Sequence, residues 1–190
     1  MMTAGCDRFW FARRFRPEME ADPTKGWMMA SIEQDTRALV VHGKDAEVVG
    51  LPHGGAFRLL ADAGATGGAL GVNGLTLGVG ADGARPHRHI LSTELFYVVG
   101  GKAVFYVGGD VVTVEAGGLV VVPPGTPHAF GAAEGSTAEV LAVLTPGVER
   151  FEYFRRLGRI GGGQESFDSL LPDQERFDVH FLDIPHWRNP

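Results

Sequence analysis

From Glu94 onward the chain becomes a series of short apolar runs: ELFYVVG, KAVFYVG, DVVTVEA, LVVVPPG and TAEVLAVLT, each cut off by glycine, proline or a charged residue. Runs this brief are too short for helices that bury a face, and β-branched and aromatic residues dominate them. Their nearly even spacing predicts an all-β sandwich or barrel. The joins Gly100-Gly101, Gly108-Gly109-Asp110 and Gly117-Gly118 are expected to be turns, because glycine enters positive φ without steric cost. Upstream, ALVVH, AEVVG and AFRLLAD read as further strands. ALGVNGLTLGV, residues 69–79, reads as an alternating segment with a turn or bulge at Asn73-Gly74. The 28 glycines and the many valines of the chain fit short strands and tight turns better than helices.

The flanking regions differ in character. Residues 1–36 lack periodicity and are expected to form a disordered N-terminal arm, and the second Met-Met pair, Met28-Met29, offers an alternative start. Residues 37–146 form the β-barrel, and 147–190 a C-terminal helical extension. In that extension VERFEYFRRLG places Phe151, Phe154 and Leu157 on one helical face, with Gly158 as its expected stop. Gly161-Gly162-Gly163 is a flexible joint, and SFDSLLPDQERFDVHFLDIPHW is expected to hold one or two short helices.

Charge and composition exclude several functions. The net charge is −6 with no basic block, which argues against a nucleic-acid partner. No apolar run is long enough to span a membrane. RFWFARRFR leads into Pro17-Glu18-Met19-Glu20 rather than an apolar stretch, so it does not read as a signal peptide. Cys6 has no cysteine to pair with inside the chain. Together these predict a cytoplasmic enzyme or binding protein.

The chemistry concentrates at PHRHILSTELF. Alternate residues of a strand face the same way, so His87 and His89 project to one side. A turn through ILST brings Glu94 to the start of the next strand, pointing inward with Phe96 and Val98. Two imidazoles and a carboxylate make half a metal site. The other half is offered by GGLVVVPPGTPHAF, where His128 follows the Pro123-Pro124-Gly125 turn. Three neutral imidazoles and one carboxylate suit one divalent first-row ion: Fe, Mn, Ni, Co, Cu or Zn. Four ligands leave about two positions for water, substrate or O2. His42, His53, His180 and His186 stand apart and read as ordinary polar residues.

These two segments resemble the cupin superfamily. The spacing His87-Arg88-His89, four residues, Glu94, six residues, Gly101 follows the first cupin motif, with its leading glycine displaced to Gly80 or Gly83. Gly117, five residues, Pro123-Pro124-Gly125, two residues, His128 follows the second, with Ala132 where asparagine is usual. The resemblance implies a single jelly-roll barrel, a double-stranded β-helix, with His87, His89, Glu94 and His128 as metal ligands, and a homodimer. TPGVERFEYFRRLG is similar to the segment after the barrel in bacterial quercetin 2,3-dioxygenase-like proteins. That resemblance implies cleavage of a phenolic, flavonol-type substrate by O2, with Glu94 as base. A non-oxidative cyclase or isomerase of the polyketide cyclase kind is the competing reading, and a small-molecule-binding cupin the third.

Phe96, Phe105, Phe130 and Arg85 are the expected substrate-pocket residues, the arginine at the mouth against an anionic or phenolate group. The phenylalanines fit a plain barrel core equally well. An apolar wall would push the Glu94 pKa upward, which would suit a general base.

Overall fold

The computed structural model describes residues 38–188; the expected arm at 1–36 lies outside them. In chain order the strands are β1 (Glu47–Gly50), β2 (Ala56–Ala61), β3 (Gly71–Leu77), β4 (Asp82–Arg88), β5 (Thr93–Val107), β6 (Asp110–Glu115), β7 (Leu119–Val122), β8 (His128–Ala132) and β9 (Ala138–Thr145). Helix α1 (Phe151–Gly161) follows. A 3₁₀ turn (Phe167–Asp173), the one-turn α2 (Gln174–Phe177) and a two-residue strand β10 (His180–Phe181) complete the described chain.

All strand pairings are antiparallel. The order β1-β2-β3-β9-β5-β8-β4-β10 curls on itself, with β6 and β7 both paired to β5. This is an all-β architecture, a curled antiparallel sheet followed by a short helical region. β5 organises it. Its first part, Thr93–Gly101, pairs with β9, and Glu94–Tyr97 with β7. Its second part pairs with β6 and β8. One strand thus belongs to both walls.

The hinge between the two parts is Gly100-Gly101, and here an expectation fails. The pair is not a turn: the strand runs through it. Val98 pairs with Val140 while Gly100 pairs with Glu139, so β5 carries one extra residue, a bulge. The inward parity changes accordingly, from Glu94, Phe96 and Val98 to Ala103 and Phe105. Gly101 has φ +68, and a Cβ there would lie 2.0 Å from the Thr137 carbonyl oxygen. Only glycine fits.

Three further local expectations are corrected. ALVVH forms no strand, and its Leu39 and Val40 are exposed, with no neighbouring strand to pair with. Asn73-Gly74 is no turn but continuous β3, paired on both sides; the irregularity at this point lies on the facing strand, between Leu59 and Ala61. Gly158 does not stop α1, which runs to Gly161. A Cβ on Gly158 would meet Val49 Cγ1 at 2.4 Å, so the glycine serves close packing of α1 on β1. The joins at Gly108-Gly109 and Gly117-Gly118 do separate β5 from β6 and β6 from β7.

The core contains Phe57, Leu59, Leu75, Leu77, Phe96, Val98, Phe105, Phe130, Val140, Tyr153, Phe154 and Phe177. Phe96, Phe105 and Phe130 form an aromatic triad with ring centroids 4.9–5.8 Å apart. Helix α1 closes one side of the curled sheet. Asp62 caps it from across the fold, accepting from the Arg150 and Phe151 amides at 2.7 and 3.0 Å. Its outer face is tied down by Arg155 to Glu47 and by Arg156 to Asp173. No helix among the described residues is long and apolar enough to cross a membrane.

Candidate metal centre and cavity

β4 and β8 are neighbours, and their register sets His87 directly opposite His128. The two rings stand 4.1 Å apart between centroids. His89 follows the end of β4, and Glu94 is the second residue of β5. All four side chains are buried, and one candidate ligand atom from each lies within 4.8 Å of the others. The sequence singled out these four residues, and the fold gathers them at one point.

Each imidazole is fixed from behind. Nδ1 of His87 meets the Arg85 carbonyl at 2.7 Å, Nδ1 of His128 meets the Thr126 carbonyl at 3.0 Å, and Nδ1 of His89 meets the Asp178 carbonyl. A carbonyl oxygen only accepts, so each Nδ1 carries a proton and each ring turns its Nε2 inward. Such outer contacts orient metal-binding histidines.

On the inward side a carboxylate meets two of these nitrogens. Glu94 Oε2 lies 2.9 Å from His89 Nε2 and 3.0 Å from His128 Nε2. Lone pairs facing at those distances repel unless a cation, a proton or a metal ion, sits among them. Two ligands each about 2.1 Å from a shared ion and at right angles to it lie about 3 Å apart. The donor set and its spacing therefore fit a first-row divalent ion, and this buried group can hold one.

The charge balance overturns one expectation. Burial does push the Glu94 carboxyl upward, but the His89 and His128 contacts outweigh it and hold the group well below the usual carboxylate range. Glu94 is ionised, not poised as a neutral acid. His87 is also held well below its ordinary value, by burial first and then by His128 and His89. It stays neutral and available as a ligand.

In front of the centre opens a cavity of about 710 Å³, within the usual range for a small-molecule site. His87 and Glu94 stand at its floor. Its walls are mostly apolar, with Phe57, Leu75, Phe96, Phe130, Phe154 and Leu157 prominent. Phe105 is not among them. It is fully buried behind Phe96 and Phe130 and belongs to the core, which corrects its expected place in the pocket. Arg85 does line the mouth, but its guanidinium lies 3.9 Å from the Phe167 ring centroid, and the residue is otherwise exposed.

Five residues that the motifs did not indicate also shape the site. Asp178, buried and with φ 49, accepts from the backbone N–H groups of Ile90, Leu91 and Ser92 at 2.7–3.2 Å, holding the loop between His89 and Glu94. His180, read as standing apart, lies 3.8 Å from it and pairs with Arg88 through β10. Asn73 is buried on β3 and lines the cavity without a side-chain hydrogen bond among the described residues. Tyr153 also lines the cavity. Its hydroxyl pKa is pushed up to about 12, mainly by burial. Arg150, 6% exposed, sets Nη1 3.8 Å from Glu94 Oε1, and its Nε and Nη1 have no hydrogen-bond partner among the described residues. The sequence carries little signal for them: none sits in a spaced motif, and all but Asn73 lie in the segment read as helical extension.

Residues 75–144 match the cupin domain. No curated protein matches the chain. Among solved structures, KdgF from a Halomonas species is 21% identical, covering 58% of this chain and 94% of that one, with a TM-score of 0.50. Streptomyces PAC13 with uridine is 21% identical over 60% of this chain and 86% of its own, with a TM-score of 0.47. A predicted oxalate decarboxylase from Thermotoga maritima is 23% identical over 56% and 98%, with a TM-score of 0.49. These likenesses speak to the fold alone.

Proposed function

We propose that this cupin domain is a metal-dependent dioxygenase that deprotonates and cleaves a phenolic, flavonol-type molecule with O2. The reading rests on one observation: the two oxygens of Glu94 face different neighbours at the floor of an aromatic-walled cavity. Oε2 faces the imidazoles. Oε1 lies toward Arg150, 3.8 Å from Nη1 and so without a hydrogen bond to it. His87, His89, His128 and Glu94 through Oε2 would hold one divalent first-row ion. Such an ion, when bound, supplies Lewis acidity toward a substrate oxygen and, if redox-active, electrons for O2.

The remaining work falls to the chain itself. Oε1 is free to take the proton of the substrate hydroxyl while Oε2 stays engaged. Because the carboxyl is held low, it accepts that proton only from a hydroxyl acidified beside the centre, which restricts reaction to a correctly seated substrate. Phe96, Phe130, Phe57 and Phe154 hold a planar aromatic body and keep bulk water out. The test is oxygen-electrode recording of protein reconstituted with each first-row metal and offered quercetin-type flavonols. Uptake coupled to substrate loss is expected; no uptake with any metal removes this reading.

A non-oxidative cyclase or isomerase is the second reading. It is favoured by the same Glu94 geometry, since proton transfer to Oε1 is complete chemistry without O2. Turnover of an enolisable substrate under strict anaerobiosis would select it. The expected homodimer has a candidate face: Tyr97, Val99, Leu119 and Val121 are all exposed on β5 and β7, with Tyr97 paired to Leu119. Light scattering of the purified chain tests it.

A further inference from the structure

We propose that Arg150 is the anion anchor of the cavity, and that the molecule bound there carries an ionised oxygen, a carboxylate or enolate type of group, on an apolar body. The inference deepens the preceding reading and rests on it for the identity of the site.

Arg150 sits where an arginine is costly. It is 6% exposed, with the rings of Tyr153 and Phe154 5.1 and 5.3 Å from its guanidinium carbon and the Tyr153 hydroxyl as a polar neighbour. A buried cation with unspent donors carries a penalty of at least 1–3 kcal/mol per orphaned group, roughly, and more for charged groups. Yet Nε and Nη1 are unspent. The nearest negative charge, Glu94 Oε1, is 3.8 Å from Nη1, outside hydrogen-bond range. A side chain kept only as counter-charge to Glu94 would close that gap. The main chain at this point is fixed by Asp62, so Arg150 is held in place rather than left to find a partner.

The surroundings supply the complement. Asn73, on a different strand, lines the same cavity and also lacks a side-chain partner among the described residues. It can donate an N–H into the same cavity. The rest of the lining is mostly aromatic and aliphatic, with Asp82 and Arg85 as its other charged residues besides Glu94. With a divalent ion bound, Glu94 offsets only part of the ionic charge, and Arg150 adds another positive one. A cavity of that balance, lined by low-dielectric walls, selects an anion. The guanidinium fork matches a two-oxygen group. If Glu94 takes a proton from the substrate, the negative charge moves from Oε1 onto the ligand, and Arg150, beside both, serves the charge in either place. The anionic contact expected of Arg85 thus has its geometric basis in Arg150.

The experiment uses the zinc-reconstituted protein and two isosteric probes, 3-phenylpropionate and 3-phenylpropionamide, titrated by calorimetry. The wild type is expected to bind the carboxylate roughly 10–100-fold more tightly than the amide. In Arg150→Met that preference falls by at least about ten-fold, while zinc content and amide affinity stay unchanged. Equal binding of the two probes by the wild type, an undiminished preference in the variant, or loss of zinc with the side chain each overturns the proposal. Should the variant fail to fold, the wild type decides: the Arg150 Nε–H nuclear magnetic resonance signal must move with the carboxylate and not with the amide. A preference that persists without O2 uptake under any metal removes the dioxygenase and leaves the anchor. Uptake without a preference does the reverse.

Discussion

His89 donates its Nδ1 proton to the main-chain carbonyl of Asp178, 89 residues further along the chain. The same aspartate spends its carboxylate on the three amides that follow His89. A single residue of the C-terminal extension therefore sets both the ring and the loop of the centre.

Replacing Asp178 by alanine should damage metal binding without touching a metal ligand. Loss of an outer-shell partner typically costs about 10–100-fold in affinity. Three amides would lose their acceptor, of which only that of Ser92 is buried, so stability should fall by about 1–3 kcal/mol. Chelator competition and urea unfolding measure the two effects. Asp178→Asn, which keeps an acceptor and tolerates positive φ, should fall between.

Glu94→Gln should leave the fold intact and reduce activity by about 10²–10⁴-fold, the usual contribution of a positioned base. Metal content after reconstitution should fall as well, because the amide removes the only negative charge among the four side chains. Elemental analysis and circular dichroism separate these outcomes from misfolding. An activity within about three-fold of wild type would remove Glu94 from the proposed chemistry.

The metal-free protein should lose stability as pH falls. The folded pKa of His87 is depressed, so below the ordinary imidazole value of about 6.5 the unfolded chain binds a proton that the folded one refuses. Glu94 adds to the loss below about 4.3, again because its folded pKa lies lower. Urea midpoints measured from pH 7 to 4 should decline, with a slope of at most about 1.4 kcal/mol per unit from each group. His87→Gln should flatten the limb just below pH 6.5. Tyr153 acts at the other end. Its folded pKa is raised to about 12, so stability should fall as pH rises past about 10, and Tyr153→Phe should remove that decline.

Gly101→Ala should destabilise the protein by more than about 2 kcal/mol, through positive φ and collision with the Thr137 carbonyl. Gly109→Ala, also at positive φ but with open space around its Cβ position, should cost less. Thermal melts of the two variants give the comparison. Equal losses would mean that the bulge in β5 tolerates a side chain.

What the sequence made legible was set by local chemistry. Alternation and glycine punctuation placed β5 through β9, and spacing drew attention to His87, His89, Glu94 and His128. The failures came from long-range packing. Gly100-Gly101 looks like a turn when read locally; it becomes a bulge because β5 must pair with β9 before it and with β6 and β8 after it. Phe96 and Phe105 look alike and, once the bulge shifts the parity, both face inward; only the packing of Phe105 against Phe96 and Phe130 decides that one lines the cavity while the other backs it. Arg150 stands in a charged, amphipathic stretch where nothing local distinguishes it from the exposed Arg155. Its burial follows from how Asp62 anchors the start of α1. Asp178 owes its role to β10 lying against β4, a pairing of two residues that no alternation pattern announces.

That pairing also orders events during synthesis. A nascent chain that has emerged only through β9 already contains three imidazoles and a carboxylate, but not the carbonyl that turns His89 or the carboxylate that folds residues 90–92 beneath it. A chain cut before Asp178 would therefore keep all four candidate ligands while lacking the contacts that orient one ring and hold the loop beside it.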